Sequence, residues 1–483
     1  MQAAGLIESD PDEAHRIINA ALNDDPDDPK ALYVGARLYI AAGRFGVALQ
    51  MLRRVTQLVP QRDVAWNDLG MCLSSIQRFR EARDAFLEAT KRGKDPGYTA
   101  NVAMTYLEEG DFKLALRWAE KALGMDADQK GAQQTAGFAH LALGDWRKGW
   151  AGYNVALGGK FRKIIRVDDE PQWTGERVDT LFVYGEQGIG DEIMMASCVP
   201  DAARDVGKVV LECDPRLAGL FKRSFPNVDV YGTRRIANVE WPERYKVDAG
   251  AAIGQLPMFY RPTPESCPGT PYLVADPERR LQWRALLDSL GRKPKIGICW
   301  SGGKKWTNAA GRSMGLEAFR PLIESIDADW ISLQYKDPQQ EIAATGLPVR
   351  HWPHGATTTD YDDTAALVSE LDMVIGVHTA VHHLAGALGV PAVVLVPSKG
   401  LWIWARDQMP WYRSARIVRQ RDGEPWQKTM QRLSVDDQLL DRLGREGSGG
   451  VARSGAVDHR THDGAGGDQA AHAEVAELVS EPS

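Results

Sequence analysis

Along the first third of the chain the apolar positions recur with a helical period, and the small ones among them recur with a longer one. Ala36, Gly70, Ala103 and Gly137 stand 34, 33 and 34 residues apart. A second small series, Ala14, Ala48, Ala82, Ala115 and Gly149, keeps nearly the same spacing. Larger apolar residues flank the first series (Leu32 and Tyr39; Trp66, Leu69 and Leu73; Val102 and Tyr106) and the second (Leu52 and Val55; Phe86 and Ala89; Tyr153 and Ala156). The pattern predicts one helix hairpin per repeat, in which small residues let two helices approach and large ones fill the gap to the next hairpin. Gly43, Gly110 and Gly144 mark the stop between the two helices of three repeats, and Pro26 and Pro60 close two of them. The reading is an α-solenoid over residues 1–158, with a leading second helix at 11–25. Such an array offers a concave face to a peptide or protein.

From Asp179 the period gives way to short buried runs. "DTLFVYG", "KVVLEC" and "VDVYG" read as parallel strands, with helices at about 191–205 and at "RLAGLFKRSF" between them. A proline-rich stretch and a charged helix, "PERRLQWRALLDSL", follow. "KPKIGICWSG" then starts the cycle again, through "LEAFRPLIES", "DWISLQ", "DTAALVSEL", "DMVIGV", "AVHHLAGALG" and "PAVVLVP". The expected fold class is therefore α followed by α/β: a helical solenoid, then two doubly wound Rossmann-like halves over 178–285 and 294–440. Two such halves facing across a cleft make the GT-B architecture of many sugar transferases. Residues 159–177 lose the helical period and read as a connector. Within it Asp168-Asp169 lacks the D-x-D spacing of metal-dependent sugar transferases and reads as a solvated turn. The stretch 445–483, rich in Gly, Ala, Ser and charge, reads as disordered.

Composition changes this picture little. The chain has 483 residues, a net charge of −7 and 25% charged residues, a balance that argues against a bulk nucleic-acid binder. Five scattered cysteines, none in a C-x-x-C pair, fit a reducing compartment rather than a zinc ribbon or a redox dithiol. There is no basic-then-apolar opening segment and no run of 18 apolar residues, so the expectation is a cytoplasmic protein without a membrane span.

Chemistry is expected in the loops after the strands, where helix N-termini gather. The first, "GEQGIGDEIM", has its glycines in the order G-x-x-G-x-G rather than G-x-G-x-x-G, and two acids, Asp191 and Glu192, at the helix start. Those acids compete with phosphate for the helix dipole. Gly185, Gln187, Gly188 and Gly190 are therefore read as an acceptor-side loop. A carboxylate at that position stays ionised at neutral pH and suits a general base, although a plain helix cap explains Asp191 as well. Glu212 sits near the place of a ribose-binding acid. The loop Ser301–Met314, "SGGKKWTNAAGRSM", carries Ser301, Lys304 and Arg312 and suits a diphosphate, or is simply a solvated basic loop. Gln334 is placed to meet a base or ribose. At "VHTAVHH" a strand ends and a helix starts, so backbone N–H groups with the Thr379 hydroxyl suit a phosphate. His378 and His382, four apart, suggest a metal pair, but no third ligand stands nearby. His383 reads equally as a core histidine. Trp402, Trp404 and Trp411 either close over a ligand or pack.

The repeats resemble the tetratricopeptide repeat. "GEQGIGDEIM" and "DTAALVSELDMVIGVHTAVHHLAGALGVPAVVLV", with "WSGG…GRSMGLEAFRPL", "WISLQ" and "MPWYRSARIVRQ", resemble the tetratricopeptide-fused relatives of the lipopolysaccharide heptosyltransferases, glycosyltransferase family 9. The resemblance spans about residues 1–440. It implies a metal-independent, inverting GT-B transferase that takes a nucleotide-sugar donor and a glycan or protein acceptor. It also implies Asp191 as base, and Arg312, Thr379, Ala380 and His383 as donor-diphosphate contacts. The family usually has a donor-positioning aspartate where this chain has His378; a histidine there either pairs with the donor phosphate or marks a shifted donor or lost activity. Two other readings stand beside the transferase: a protein-binding scaffold with a degenerate α/β part, and a protein O-glycosyltransferase resembling the O-GlcNAc transferases.

Overall fold

The computed structural model describes residues 2–7, 9–159, 162–167, 169–234, 236, 239–303, 313–356 and 359–441. The expectations for Asp168, Lys304, Arg312 and the stretch 445–483 lie outside these residues. The chain divides into two compact units, with the boundary between Val155 and Ala156.

In the first unit a short helix, Gln2–Leu6, and a leading helix, Pro11–Asp24, precede a run of helix hairpins. These are Pro29–Ala41 with Phe45–Leu58, Asp63–Ser75 with Phe79–Arg92, Pro96–Glu108 with Phe112–Leu123, and Lys130–Leu143 with Trp146–Asn154. Their starts are encoded locally. Asp28 accepts the Lys30 N–H at 2.9 Å and Asp95 the Gly97 N–H at 2.7 Å, each with a proline at the first helical position. The small positions are where helices touch. Ala36, Ala48, Ala82, Ala103 and Ala115 are fully buried. A Cβ on Gly70 would lie 2.5 Å from the Phe86 ring, and one on Gly137 would lie 2.6 Å from the backbone of Gly152. The stops also hold: Gly43, Gly110 and Gly144 have φ of +70°, +74° and +96°. In the second hairpin the same place is taken by Gln77, with φ +64°, a conformation that costs an L-residue energy.

The second unit contains two all-parallel sheets. The first uses β1 (Thr180–Tyr184), β2 (Lys208–Glu212), β3 (Val228–Tyr231) and β4 (Ala249–Ala252) in the order β3-β2-β1-β4. The second uses β5 (Lys295–Cys299), β6 (Asp329–Ser332), β7 (Val349–His351), β8 (Met373–Val377), β9 (Ala392–Val396) and β10 (Ala415–Arg419) in the order β10-β9-β8-β5-β6-β7. Its core gathers Ile296, Ile298, Trp300, Phe319, Leu322, Trp330, Ile375 and Leu395 with Met430 and Leu433 of the helix Trp426–Ser434.

Three expectations are corrected. The helix at 191–205 is not continuous: Ile189–Met195 ends in a turn at Ala196–Cys198, and Val199–Asp205 restarts with Pro200 in its first turn, where a missing N–H costs nothing. β4, β7 and β10 are additional strands. The helix Pro277–Asp288 does not belong to a first half ending at 285. Its Arg280 and Arg284 pair with the buried Glu370, and Trp283 fills the space above Gly355, so it packs with the second sheet's layer.

The layers of the two sheets are tied together. Arg223 of the helix Ala218–Ser224 bonds Asp362 of the helix Tyr361–Ser369 at 2.9 Å, and also Asp276 of the intervening segment at 3.2 Å. In that segment the Tyr272 N–H donates to the Ala387 carbonyl at 2.9 Å, while its hydroxyl donates to the Ile193 carbonyl at 2.7 Å.

Candidate functional site

Three loops meet at the ends of β1, β5 and β8. The first begins where β1 delivers Gly185 and the chain turns into Ile189–Met195, with Gly188 as cap residue. The Asp191 carboxylate reaches back and accepts the Gly188 N–H at 3.2 Å, so the capping reading is realised. Burial raises the Asp191 pKa above the ordinary carboxylate value. The Gly188 N–H opposes that rise, the negative charge of Glu186 adds to it, and Arg162 opposes it. The second acid, Glu192, has a different task. It is fully buried, paired with Arg234, and accepts the Asp214 N–H at 2.9 Å. A Cβ on Gly185 would lie 2.4 Å from its carboxylate, so that glycine makes room for an internal ion pair rather than for a ligand. Gln187 likewise works within the loop: its carbonyl accepts from Arg234 at 2.6 Å and its amide faces Glu186 at 3.3 Å. Glu186 itself pairs with Arg162 of the connector at 2.9 Å, with both side chains enclosed. Glu212 accepts the Thr233 hydroxyl at 2.8 Å, and burial raises its pKa.

The second loop leaves β5 at Trp300. The Gln334 amide bonds the Ser301 carbonyl at 2.9 Å and its hydroxyl at 2.6 Å, and its oxygen faces the N–H groups of Trp300 and Ser301 at 3.3 Å. Gln334 is thus spent on holding Ser301 in place and is buried beneath the loop. The third loop leaves β8 at His378. The helix Ala380–Leu388 begins only after Thr379, its cap residue, so His378 lies outside the helix and shares no helical face with His382. His378 is buried with its ring centre 6.1 Å from that of Trp404. Among the described residues there is no group of three or more metal-capable side chains. The Thr379 hydroxyl faces the Cys299 sulfur at 3.6 Å, and His382 is fully buried, its pKa pushed down to about 4 by burial.

The loops are in contact. A Cβ on Gly190 would lie 3.2 Å from the His383 ring and 3.3 Å from the Ala380 backbone; one on Gly302 would lie 2.5 Å from the Thr379 methyl group. The structure therefore brings together Gly188, Gly190, Asp191, Ser301, Thr379, Ala380 and His383, and places Gln334 behind them. Trp404 and Trp411 are buried; Trp404 packs 5.2 Å from His383 and Trp402 is half-buried. Arg162, Arg234, Tyr272 and Tyr412 emerge as site residues that sequence patterns did not single out. Only Tyr412 carried a signal, inside "MPWYRSARIVRQ".

Comparison with known proteins bears on the repeats directly and on the whole chain through one curated relative. The tetratricopeptide-repeat profile matches residues 8–63, 33–97 and 67–132, so the helix hairpins up to residue 132 are tetratricopeptide repeats. Protein FlbA of Caulobacter vibrioides is 31% identical over 413 residues, which cover 80% of this chain and 69% of that protein. The chain belongs to the FlbA family. Among solved structures, a MamA fragment from Desulfovibrio magneticus RS-1 aligns at 17% identity and a TM-score of 0.28, covering 32% of this chain and 92% of its own. A thermophilic tetratricopeptide-repeat protein of Thermus thermophilus aligns at 20% identity and a TM-score of 0.27, covering 31% of this chain and 83% of its own. Among the described residues of this FlbA relative no helix is long and apolar enough to cross a membrane.

Proposed function

We propose that the α/β unit is an inverting, metal-independent glycosyltransferase of GT-B arrangement, and that the repeats recruit its acceptor or a partner protein. The carrying observation is the meeting of Asp191 with the helix start at Thr379–Ala380 across Gly190. In this reading Asp191 takes the proton of an acceptor hydroxyl, whose oxygen attacks the anomeric carbon in line. The bond from that carbon to the diphosphate oxygen breaks, and its charge is received by the N–H groups of the Thr379 turn and, in the expectation from resemblance, by Arg312. A raised carboxylate pKa suits the base, since a base works best near the operating pH. Incubation with a panel of nucleotide-sugars, for wild type and Asp191→Asn, tests it. Transfer or hydrolysis that falls about 10²–10⁴-fold in the variant supports the proposal; no turnover of any donor by wild type refutes it.

His378 favours a second reading. A buried histidine against Trp404 occupies the place of the family's donor-positioning aspartate, and a repeat scaffold with a degenerate α/β unit accommodates that change. Titration calorimetry with nucleoside diphosphates separates the two: the transferase binds one, the scaffold binds none. Intact-mass analysis of co-expressed partners would register a sugar on a protein acceptor.

A further inference from the structure

We infer that His383 presents an unprotonated Nε2 to a hydroxyl of the transferred sugar, held in that tautomer by a chain of tyrosine hydroxyls that ends on the Ile193 carbonyl. The inference rests on the transferase reading for its ligand but on geometry for its tautomer.

The chain has a direction. The Ile193 carbonyl only accepts, so the Tyr272 hydroxyl at 2.7 Å spends its one proton there. The Tyr272 oxygen then only accepts, and the hydroxyl facing it at 3.4 Å is that of Tyr412. A Tyr412 proton placed on the His383 Nδ1 would leave the Tyr412 and Tyr272 oxygens facing each other with no hydrogen between them; directed to Tyr272 instead, it leaves the Tyr412 oxygen to accept from its other neighbour, the His383 Nδ1 at 3.1 Å. Nδ1 therefore carries the hydrogen. Burial keeps the ring neutral, its pKa pushed down to about 3, so it has a single N–H and Nε2 is bare. The ring is fixed by packing. Trp404 lies 5.2 Å away and Tyr412 5.9 Å away, and the Tyr412 ring itself sits on Gly386, where a Cβ would lie 2.2 Å from it.

The edge of the ring that bears Nε2 is the one turned to the loop of Asp191, because Cδ2, bonded to Nε2, is the atom nearest a Cβ on Gly190. A bare nitrogen repels the oxygens of a phosphate and attracts an O–H. This changes the role implied by resemblance. His383 does not clamp the diphosphate; it orients the sugar beyond it by accepting a hydroxyl proton. Asp191 remains the base, and the two groups flank the reacting carbon from neighbouring helix starts. Tyr412 and Tyr272 are positioning residues, acting only through the histidine.

Two measurements test this. In the ¹⁵N-labelled full chain, a long-range ¹H–¹⁵N spectrum at neutral pH reports the tautomer, with the His383 signal identified by its loss in His383→Gln. A protonated, pyrrole-type Nδ1 and a pyridine-type Nε2 are expected, reverting towards the opposite tautomer in Tyr412→Phe. A pyrrole-type Nε2 in the wild type overturns the inference, whatever the protein's activity. Calorimetry then reads the ligand. His383→Leu is expected to weaken a bound nucleotide-sugar about tenfold while leaving the matching nucleoside diphosphate within about twofold. Equal weakening of both, or of neither, overturns the hydroxyl assignment. If wild type binds no nucleotide at all, the transferase reading fails while the tautomer is still decided by the spectrum.

Discussion

Asp191 is both a helix cap and a candidate base, and the two roles pull its pKa in opposite directions. Burial wins, so its folded-state pKa lies above the unfolded value. Such a group stabilises the fold fully below the unfolded pKa, and that contribution is lost as pH rises through the folded pKa. Above the unfolded-state pKa the buried Asp191 carboxyl is therefore a cost to the fold that Asp191→Asn removes. The variant is expected to melt no lower than wild type at pH 7 while losing activity; a lower melting temperature would mark Asp191 as mainly structural. The acidic limb of the wild-type kcat/KM profile is expected above the ordinary carboxylate pKa of 3.8, and to vanish in the variant. Gln77 is the other residue under tension. Its φ of +64° belongs to the glycine that three sister hairpins use, so Gln77→Gly is expected to stabilise the repeat unit by about 1 kcal/mol, read as a rise of about 2–4 °C in its thermal unfolding. At this scale sequence patterns revealed the acids and histidines that stand beside glycines, but not their duties. Glu192 and Asp191 are adjacent and alike in composition, yet one is an internal ion-pair partner and the other stands at the loop junction. Only the distant Arg234 and Asp214 make that difference.

The elements are set by where side chains are missing. The helices Lys130–Leu143 and Trp146–Asn154 touch backbone to backbone at Gly137 and Gly152, and Gly137→Ala is expected to cost about 1–3 kcal/mol in denaturant unfolding of the repeats. Gly302 does the same for two site loops. Gly302→Ala would push the Thr379 methyl group away, and is expected to raise the donor KM severalfold with little change in melting temperature. The hairpins were legible because a 34-residue spacing repeats the same demand several times. The long apolar strands were legible because parallel strands are buried on both faces. β4 was not, since Ala249–Ala252 contains only Ala and Gly and gains its strand form from pairing with β1. The break after Met195 also escaped the pattern, because Pro200 is tolerated at a helix start and the apolar run continues through it.

For the molecule as a whole, each unit has its own core, and the repeat unit's clusters close within residues before Val155. A fragment of residues 1–155 is therefore expected to fold alone, with a cooperative helical melt by circular dichroism. In the second unit Asp362 holds the layers of both sheets through Arg223. Asp362→Asn is expected to cost about 2 kcal/mol, measured by denaturant midpoint, because it weakens a charge-assisted bond between a buried carboxylate and a partly exposed guanidinium. Family membership spans both units, whereas the candidate site is assembled by contacts between residues nearly 200 positions apart, which no local pattern encodes.

The arrangement of the second sheet also sets an order of events during synthesis. The repeats consist of neighbours in sequence and have everything they need as they leave the ribosome, so they form early. β5, by contrast, waits for β8, and the core around Phe319 and Trp330 stays open until Met430 and Leu433 arrive at the end of the helix Trp426–Ser434. A nascent chain thus carries a finished helical unit, able to meet a partner, ahead of an α/β unit that is still incomplete. A protein that docks on the repeats while translation continues would be in place before the site exists, and would be the first large molecule the site encounters.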